Sequence, residues 1–183
     1  LMFDVDGKIH VSTIHDITTL LMHHNVKIKT LQGWDTIECI VASPTNDSTV
    51  LVDVDGNIFT QWHPLRKLGS DEWEFANSMS DVICTKKPEF VFNIVTENRN
   101  PVLVYGQTGI LQYATLGHSK VTGTNDPVAY HAFWSTEHSI DKLKESPLYT
   151  SKIVVLTNNI QDVKQCSKVA SLFKNEVSIA SID

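Results

Sequence analysis

The sequence predicts an all-β domain built from bent hairpins, with a small α/β extension at its C-terminal end. Three observations lead there. Short apolar, β-branched runs recur at spacings of roughly 8–15 residues, each closed by turn residues. Asp-Gly pairs at Asp6, Gly7 and at Asp55, Gly56 sit between such runs and are strong hairpin signals. Helical periodicity is weak before residue 120.

In order along the chain, LMFDV (1–5) is a strand ending in the first Asp-Gly turn. A short helix follows over 13–22, where Ile14, Ile17, Leu20 and Leu21 share a face and Ser12 is placed to cap. VKIKT (26–30) leads to a turn at Gly33, and TIECIVAS (36–43) runs into the turn PTND. STVLVDV (48–54) and NIFTQWH (57–63) flank the second Asp-Gly turn. EFVFNIVTE (89–97), PVLVYG (101–106) and GILQYATLG (109–117) complete the set. Trp62, Trp73, Val91, Phe92, Ile94 and Leu103 are expected in the core, as large apolar side chains within these runs.

Beyond residue 120 the texture changes. TGTNDP (122–127) is a turn-rich connector. A helix over 137–146 follows, capped by Ser135 or Thr136 and stopped by Pro147. KIVVLTN (152–158) reads as a strand, and 160–173 as a helix. Residues 1–118 therefore form the β domain, and 119–183 an extension packed on it.

Composition excludes several function classes. The 183 residues carry a formal net charge of −6, with Lys and Arg scattered, so nucleic acid is not an expected partner. No run approaches the roughly 18 apolar residues of a membrane helix, and the first residues lack the basic and apolar regions of a secretory signal. No membrane association is expected. Cys39, Cys84 and Cys166 are odd in number and widely spaced, which argues against a disulfide framework or zinc site and for reduced thiols in the cytoplasm. Cys39 alternates as a buried strand residue, Cys84 is similar, and Cys166 falls on the last helix. The chain opens in mid-pattern without an initiator Met, as a fragment or cleavage product would.

Metal chemistry has little support. The two Asp-x-Asp-Gly sequences lack the later ligands of a calcium loop, so they read as hairpin turns. His10, His15, His23 and His24 do not place two ligands on one helical face. No metal or other cofactor is expected.

The segment FTQWHP (59–64) carries the chemistry. A Thr three residues before a His, near the end of a β run, can aim both side chains at one backbone amide. The imidazole can hydrogen-bond the amide nitrogen and later protonate it as a leaving group. The Thr hydroxyl can hold the same peptide in a strained geometry. A His before Pro at a strand end is also a common surface arrangement, and the spacing occurs by chance in many chains.

The order of motifs around it resembles the Hint superfamily of inteins and hedgehog autoprocessing domains, and within it the Vint family, Hint domains attached to von Willebrand A domains. Thr60, Trp62, His63 and Pro64 match the family's T-x-W-H-P block. Val91, Phe92 and Asn93 match its V-Y-N-F block, and Thr115, Leu116, Gly117 and His118 its T-L-G-H segment. HAFWST (131–136) resembles the element that follows. The resemblance covers about residues 26–150 and implies a horseshoe of bent β-hairpins.

The resemblance also implies function. Hint domains begin with a nucleophile, usually Cys, just before an apolar strand ending in a D-G turn. Here that strand is LMFDV, so the Cys would lie upstream of Leu1, or the parent lacks it. With the Cys, the implied activity is cis cleavage of the chain's own upstream segment through an N-to-S acyl shift and a thioester. Thr60 and His63 would activate the amide, and His118 would assist as a late His does in splicing relatives. The implied partners are the upstream polypeptide and a von Willebrand A domain in the parent. Without the Cys, a degenerate module with a structural or interaction role is the alternative.

Overall fold

The computed structural model describes residues 1–118, Lys144 and residues 152–155. Twelve strands and two helices lie within these residues. The chain opens with β1 (Met2–Val5) and β2 (Lys8–Val11), paired antiparallel. Asp6 and Gly7 between them have φ of 50° and 86°, the left-handed pair that lets a two-residue turn match the strand twist. The Asp4 carboxylate accepts from the Gly7 amide at 2.8 Å. The same arrangement recurs between β5 (Leu51–Val54) and β6 (Asn57–Thr60), where Asp55 and Gly56 have φ of 55° and 82° and Asp53 accepts from Gly56. In both Asp-x-Asp-Gly sequences the first Asp ties the glycine amide and the second takes the left-handed position.

Helix α1 (Ile14–Leu21) buries Ile17, Thr18 and Leu21. Its cap is Thr13, not Ser12. Thr13 Oγ1 accepts from the Asp16 amide and the Asp16 carboxylate accepts from the Thr13 amide, both at 3.2 Å. This reciprocal box needs an acidic or amide side chain three residues after the cap. Asp16 stands there for Thr13, whereas His15 stands there for Ser12.

β3 (Val26–Thr30) and the twelve-residue β4 (Gly33–Pro44) form the frame. The first part of β4 pairs with β3; after a register shift between Ile37 and Cys39, the rest pairs with β9 (Phe90–Thr96). One strand thereby pairs with two partners, one adjacent in sequence and one remote. Cys39, Ile40, Val41 and Ala42 are buried along it. β12 (Ile153–Val155) lies parallel to residues 40–42 of β4, the described piece of the expected strand over 152–158.

β7 (Pro64–Lys67), β8 (Glu74–Phe75), α2 (Ala76–Met79), β10 (Val102–Tyr105) and β11 (Ile110–Tyr113) complete the architecture. The main sheet runs β12-β4-β3-β10-β11-β7-β8, with β1 also on β3, β2 on β1, and β9 on β4. The β5–β6 pair is a separate two-stranded sheet. Its Val52, Val54 and Phe59 belong to the same core as Phe3, Ile28 and Ile94 of the main sheet. The domain is all-β, as the sequence predicts.

Several core expectations are corrected. Trp73, Ile94 and Leu103 are buried, but Val91 and Phe92 are only half-buried, and Trp62 is 48% exposed. The run 57–63 does not stay extended: β6 ends at Thr60 and Trp62 falls in a turn, its ring edge-on to Phe75 at 5.4 Å. Cys39 is buried and Cys84 half-buried. Apart from the helical Lys144, the helices over 137–146 and 160–173, the connector 122–127, the block 131–136 and Cys166 lie outside the described residues. Among the described residues no helix is long and apolar enough to cross a membrane.

The small sheet is pinned to the main one at the Asp55 turn. The Asp55 carboxylate accepts from the amides of Thr108 and Gly109 at 2.9 and 3.0 Å and from the Thr108 hydroxyl at 2.9 Å. Asn57 Nδ2 donates to the Tyr105 carbonyl at 3.1 Å. A Cβ on Gly106 would stand 1.9 Å from Asp55 Oδ2, so that position must lack one. Gly106→Ala is expected to lower stability by about 1–3 kcal/mol through this clash. Trp73→Ala should cost about 3–5 kcal/mol, and Trp62→Ala much less, since half of its surface is already in water. Denaturant unfolding of the three variants checks the order; a Trp62 loss equal to the Trp73 loss would contradict the turn assignment.

Candidate functional site

The site is built where the small sheet meets the main one. After β6 the chain makes a turn over 60–63, closed by the His63 amide donating to the Thr60 carbonyl at 2.9 Å. Pro64 then opens β7, and the residue before a proline is held in extended backbone. The turn is tied on both sides: the Gln61 amide donates to the Val50 carbonyl, and the amides of Ala76 and Asn77 donate to the carbonyls of His63 and Gln61. The three-residue spacing of Thr and His thus places both side chains on one cavity because it spans a closed turn, not a regular strand.

That cavity has a volume of about 630 Å³. Thr60, His63, Asn93 and Tyr113 contribute polar groups to its lining, and Phe59, Phe90 and Phe92 much of its apolar wall. Leu1 lines the same cavity. The Leu1 carbonyl accepts from the Ser12 amide at 3.0 Å, which fixes the start of β1 beside it.

His63 is 3% exposed. Its ring stacks on Tyr113, with centroids 3.8 Å apart and planes 17° apart, and on Phe59 at 6.2 Å. Burial in this aromatic setting disfavours the charged form and pushes the imidazole pKa down to about 3, against a weaker opposing hydrogen bond to the Ala114 backbone. A bond that favours the protonated ring is one in which the ring donates. The neutral ring therefore gives its one N–H to Ala114 and keeps a lone pair on the other nitrogen.

Tyr113 and Asn93 form the adjoining wall. The Tyr113 hydroxyl lies 2.9 Å from the Phe92 carbonyl and 3.1 Å from Asn93 Oδ1, and donates its proton between them. Burial raises the phenol pKa, so it stays protonated. Asn93 is a polar side chain inside the apolar strand β9, a signal visible in FVFNIVT. No sequence signal singled out Tyr113, whose contact with His63 joins strands remote in the chain.

His118 is placed elsewhere. It is 6% exposed, its amide closes a turn onto the Thr115 carbonyl, and its ring lies 5.5 Å from Trp73. Trp73 in turn carries the Arg66 guanidinium over its face at 4.9 Å. The structure brings Thr60 and His63 to one cavity and leaves His118 outside its lining.

Thr60 and the buried His63 thus line one cavity, together with the first residue of a bent-hairpin β domain. The match to known families agrees. The chain matches the Vint model, a Hint-domain family, over residues 3–171, and it belongs to that family. The match takes in β1 and the C-terminal strand, beyond the motif blocks alone. No curated protein matches the chain.

The neutral state of His63 has a consequence for stability. The unfolded chain binds a proton on this ring near pH 6.5, and the folded chain only near pH 3. Stability from this group is complete above pH 6.5 and is lost as pH falls through the interval below it. Between pH 7 and pH 5 the expected loss is about 2 kcal/mol at roughly 1.4 kcal/mol per pH unit. That window lies above the ordinary 3.8 of the acidic groups Asp6, Asp16 and Asp55, all held lower still. His63→Gln should flatten this slope in urea unfolding curves; an unchanged slope would show that the ring is not held neutral.

Proposed function

We propose that this Hint domain is an autoprocessing domain, cutting the peptide bond ahead of a cysteine that precedes β1 in a longer chain. The observation that carries this reading is that Leu1 lines the same cavity as Thr60 and His63. A residue joined to the Leu1 nitrogen would lead directly into the site.

The chemistry follows from a neutral His63. The Cys thiol gives its proton to the imidazole lone pair, and the sulfur attacks the carbonyl carbon of its own peptide bond. Thr60 Oγ1 holds that amide across the cavity, and oriented donors carry the oxyanion. The C–N bond then breaks, and His63 returns the same proton to the leaving nitrogen. The product is a thioester with a free amine, formed without cofactor and without net proton uptake. Water or another nucleophile attacks the thioester carbonyl, releases the upstream segment and restores the thiol. By family resemblance, that parent chain carries a von Willebrand A domain. His118, packed on Trp73 outside the cavity lining, would act on a later step.

A second reading, a module with a structural role, is favoured by one observation: neither Cys39 nor Cys84 lines the cavity. Without an upstream cysteine the site has no thiol among the described residues. The sequence just before Leu1 in the parent separates the two readings.

In a chain carrying the native upstream segment, dithiothreitol should accelerate its release, and replacing the upstream Cys by Ala should abolish it. His63→Ala should slow release about 10²–10⁴-fold, the usual worth of a positioned proton-transfer group, and Thr60→Ala should slow it less. Replacing Cys39, Cys84 or Cys166 should leave cleavage intact. A gel time course reads all of these. Full-rate cleavage in His63→Ala would remove the basis of the mechanism, and a folded chain that never cleaves would establish the structural module.

A further inference from the structure

The polar groups on the cavity wall come from three separate elements. His63 ends the turn after β6, Asn93 sits in β9, and Tyr113 ends β11. Tyr113 is 5% exposed and is the group that touches both of the others. Its ring lies flat against the imidazole at 3.8 Å, and its hydroxyl is 3.1 Å from Asn93 Oδ1. The backbone reinforces the arrangement. Tyr113 pairs with Leu65 of β7, two residues after His63, and the next amide, that of Ala114, donates to the Pro64 carbonyl.

We infer that Tyr113 is a positioning residue of this site: its ring sets the plane of the His63 imidazole, and its hydroxyl sets the Asn93 carboxamide. The inference rests on the processing reading for its consequence, and on geometry alone for its content. Three features favour positioning over mere filling of space. The stack is nearly parallel, with planes 17° apart. It packs on the ring face, so the ring edge with its nitrogens is not covered by Tyr113, and one of them meets the Ala114 backbone. The hydroxyl is within hydrogen-bond distance of both the Phe92 carbonyl and Asn93 Oδ1, so it ties the carboxamide to a fixed point of the backbone. With its oxygen accepting from Tyr113, Asn93 keeps its NH₂ group as a donor on the cavity wall. The role assigned to Asn93 is thus donation toward a polar atom in the cavity.

The surroundings are otherwise sparse in charge. Among the described residues lining the cavity, the other titratable side chains are His15, Lys86 and Lys87, all exposed. Lys87 Nζ is engaged by the carbonyls of Asn46 and Asp47, both at 3.0 Å. The shielding of the imidazole comes from apolar rings rather than from a neighbouring cation in contact with it.

The test compares Tyr113→Phe with Tyr113→Leu in the 183-residue chain. Side-chain ¹H–¹⁵N spectra report the His63 tautomer and titration and the Asn93 carboxamide; His63→Gln and Asn93→Ala assign the signals. Tyr113→Phe keeps the ring and removes the hydroxyl. It should leave His63 neutral with its tautomer unchanged, and move the Asn93 carboxamide signals. Tyr113→Leu removes both contacts and opens the imidazole to water. His63 should then begin to protonate above about pH 5, on the way back to its ordinary value. In the longer chain with its upstream Cys, Tyr113→Phe should slow thioester formation about tenfold, and Tyr113→Leu by about a hundredfold, the scale expected when a reacting group is displaced by about 1 Å.

An unaltered His63 titration in a folded Tyr113→Leu chain would overturn the ring's role. Unmoved Asn93 signals in Tyr113→Phe would overturn the hydroxyl's role. Should the Leu variant not fold, the Phe variant still decides the Asn93 half by its spectrum. A wild-type longer chain that does not cleave would sink the processing reading, while the two spectra still judge the positioning.

Discussion

The cavity exists because a small two-stranded sheet is held against a large one, and the Asp55 carboxylate is the contact that holds it. Three donors on the β10–β11 turn converge on that single side chain. Being taken out of water works against a charged Asp55, but these hydrogen bonds outweigh it, and its pKa stays below the usual carboxylate range. The close approach also dictates glycine at position 106, where any side chain would displace the carboxylate. Release of this contact would loosen the hairpin that carries Thr60, while His63 stays tied to the main sheet through Pro64 and Leu65. The site is therefore a property of the docking, not of either sheet.

That dependence explains the division of labour along the chain. A two-stranded sheet is marginal alone, so β5–β6 needs the main sheet to be ordered, and it contributes Val52, Val54 and Phe59 to the shared core in return. The turn over 60–63 is fixed more tightly still, with backbone bonds to Val50, Ala76 and Asn77 as well as its own closing bond. Such redundancy restricts how far the imidazole can move, and the proton transfer proposed for it would need that order. The exposed Trp62 is a by-product: it occupies the turn position that lets Thr60 and His63 face inward.

What was legible in the sequence was local. The Asp-x-Asp-Gly turns and the strands VKIKT and TIECIVAS follow from short-range rules and are present, and Thr60 and His63 line one cavity. Helix α1 was legible too, although its cap moved by one residue because Asp16 can reciprocate with Thr13 and His15 cannot with Ser12. Trp62 was misplaced because alternation was carried through a segment where the strand had already stopped. Asn93 could be seen as a polar residue in an apolar strand. Tyr113 could not be singled out, since its value lies in a stack across strands remote in sequence. Asp55 read only as a turn residue; its second role, accepting from Thr108 and Gly109, depends on tertiary approach that no local pattern encodes.

Under the processing reading proposed above, burial of the imidazole constrains the order of the proton transfers. A ring protonated at rest would be a ready acid for the leaving amine, but it would carry its charge into an aromatic setting that disfavours it. A neutral ring avoids that cost and begins instead as a base. The proton delivered to the amine must then be the one removed from the nucleophile, so acid and base functions belong to one nitrogen at successive moments. Such a shuttle requires the sulfur and the amide nitrogen to be reached from the same lone pair, within one small movement of the substrate. An arrangement in which nucleophile and scissile nitrogen belong to the same residue meets that requirement by covalent geometry. A separate substrate brought in from solution would have to meet it by binding alone. Within that proposed reading, the burial of His63 favours cleavage in cis over catalysis in trans.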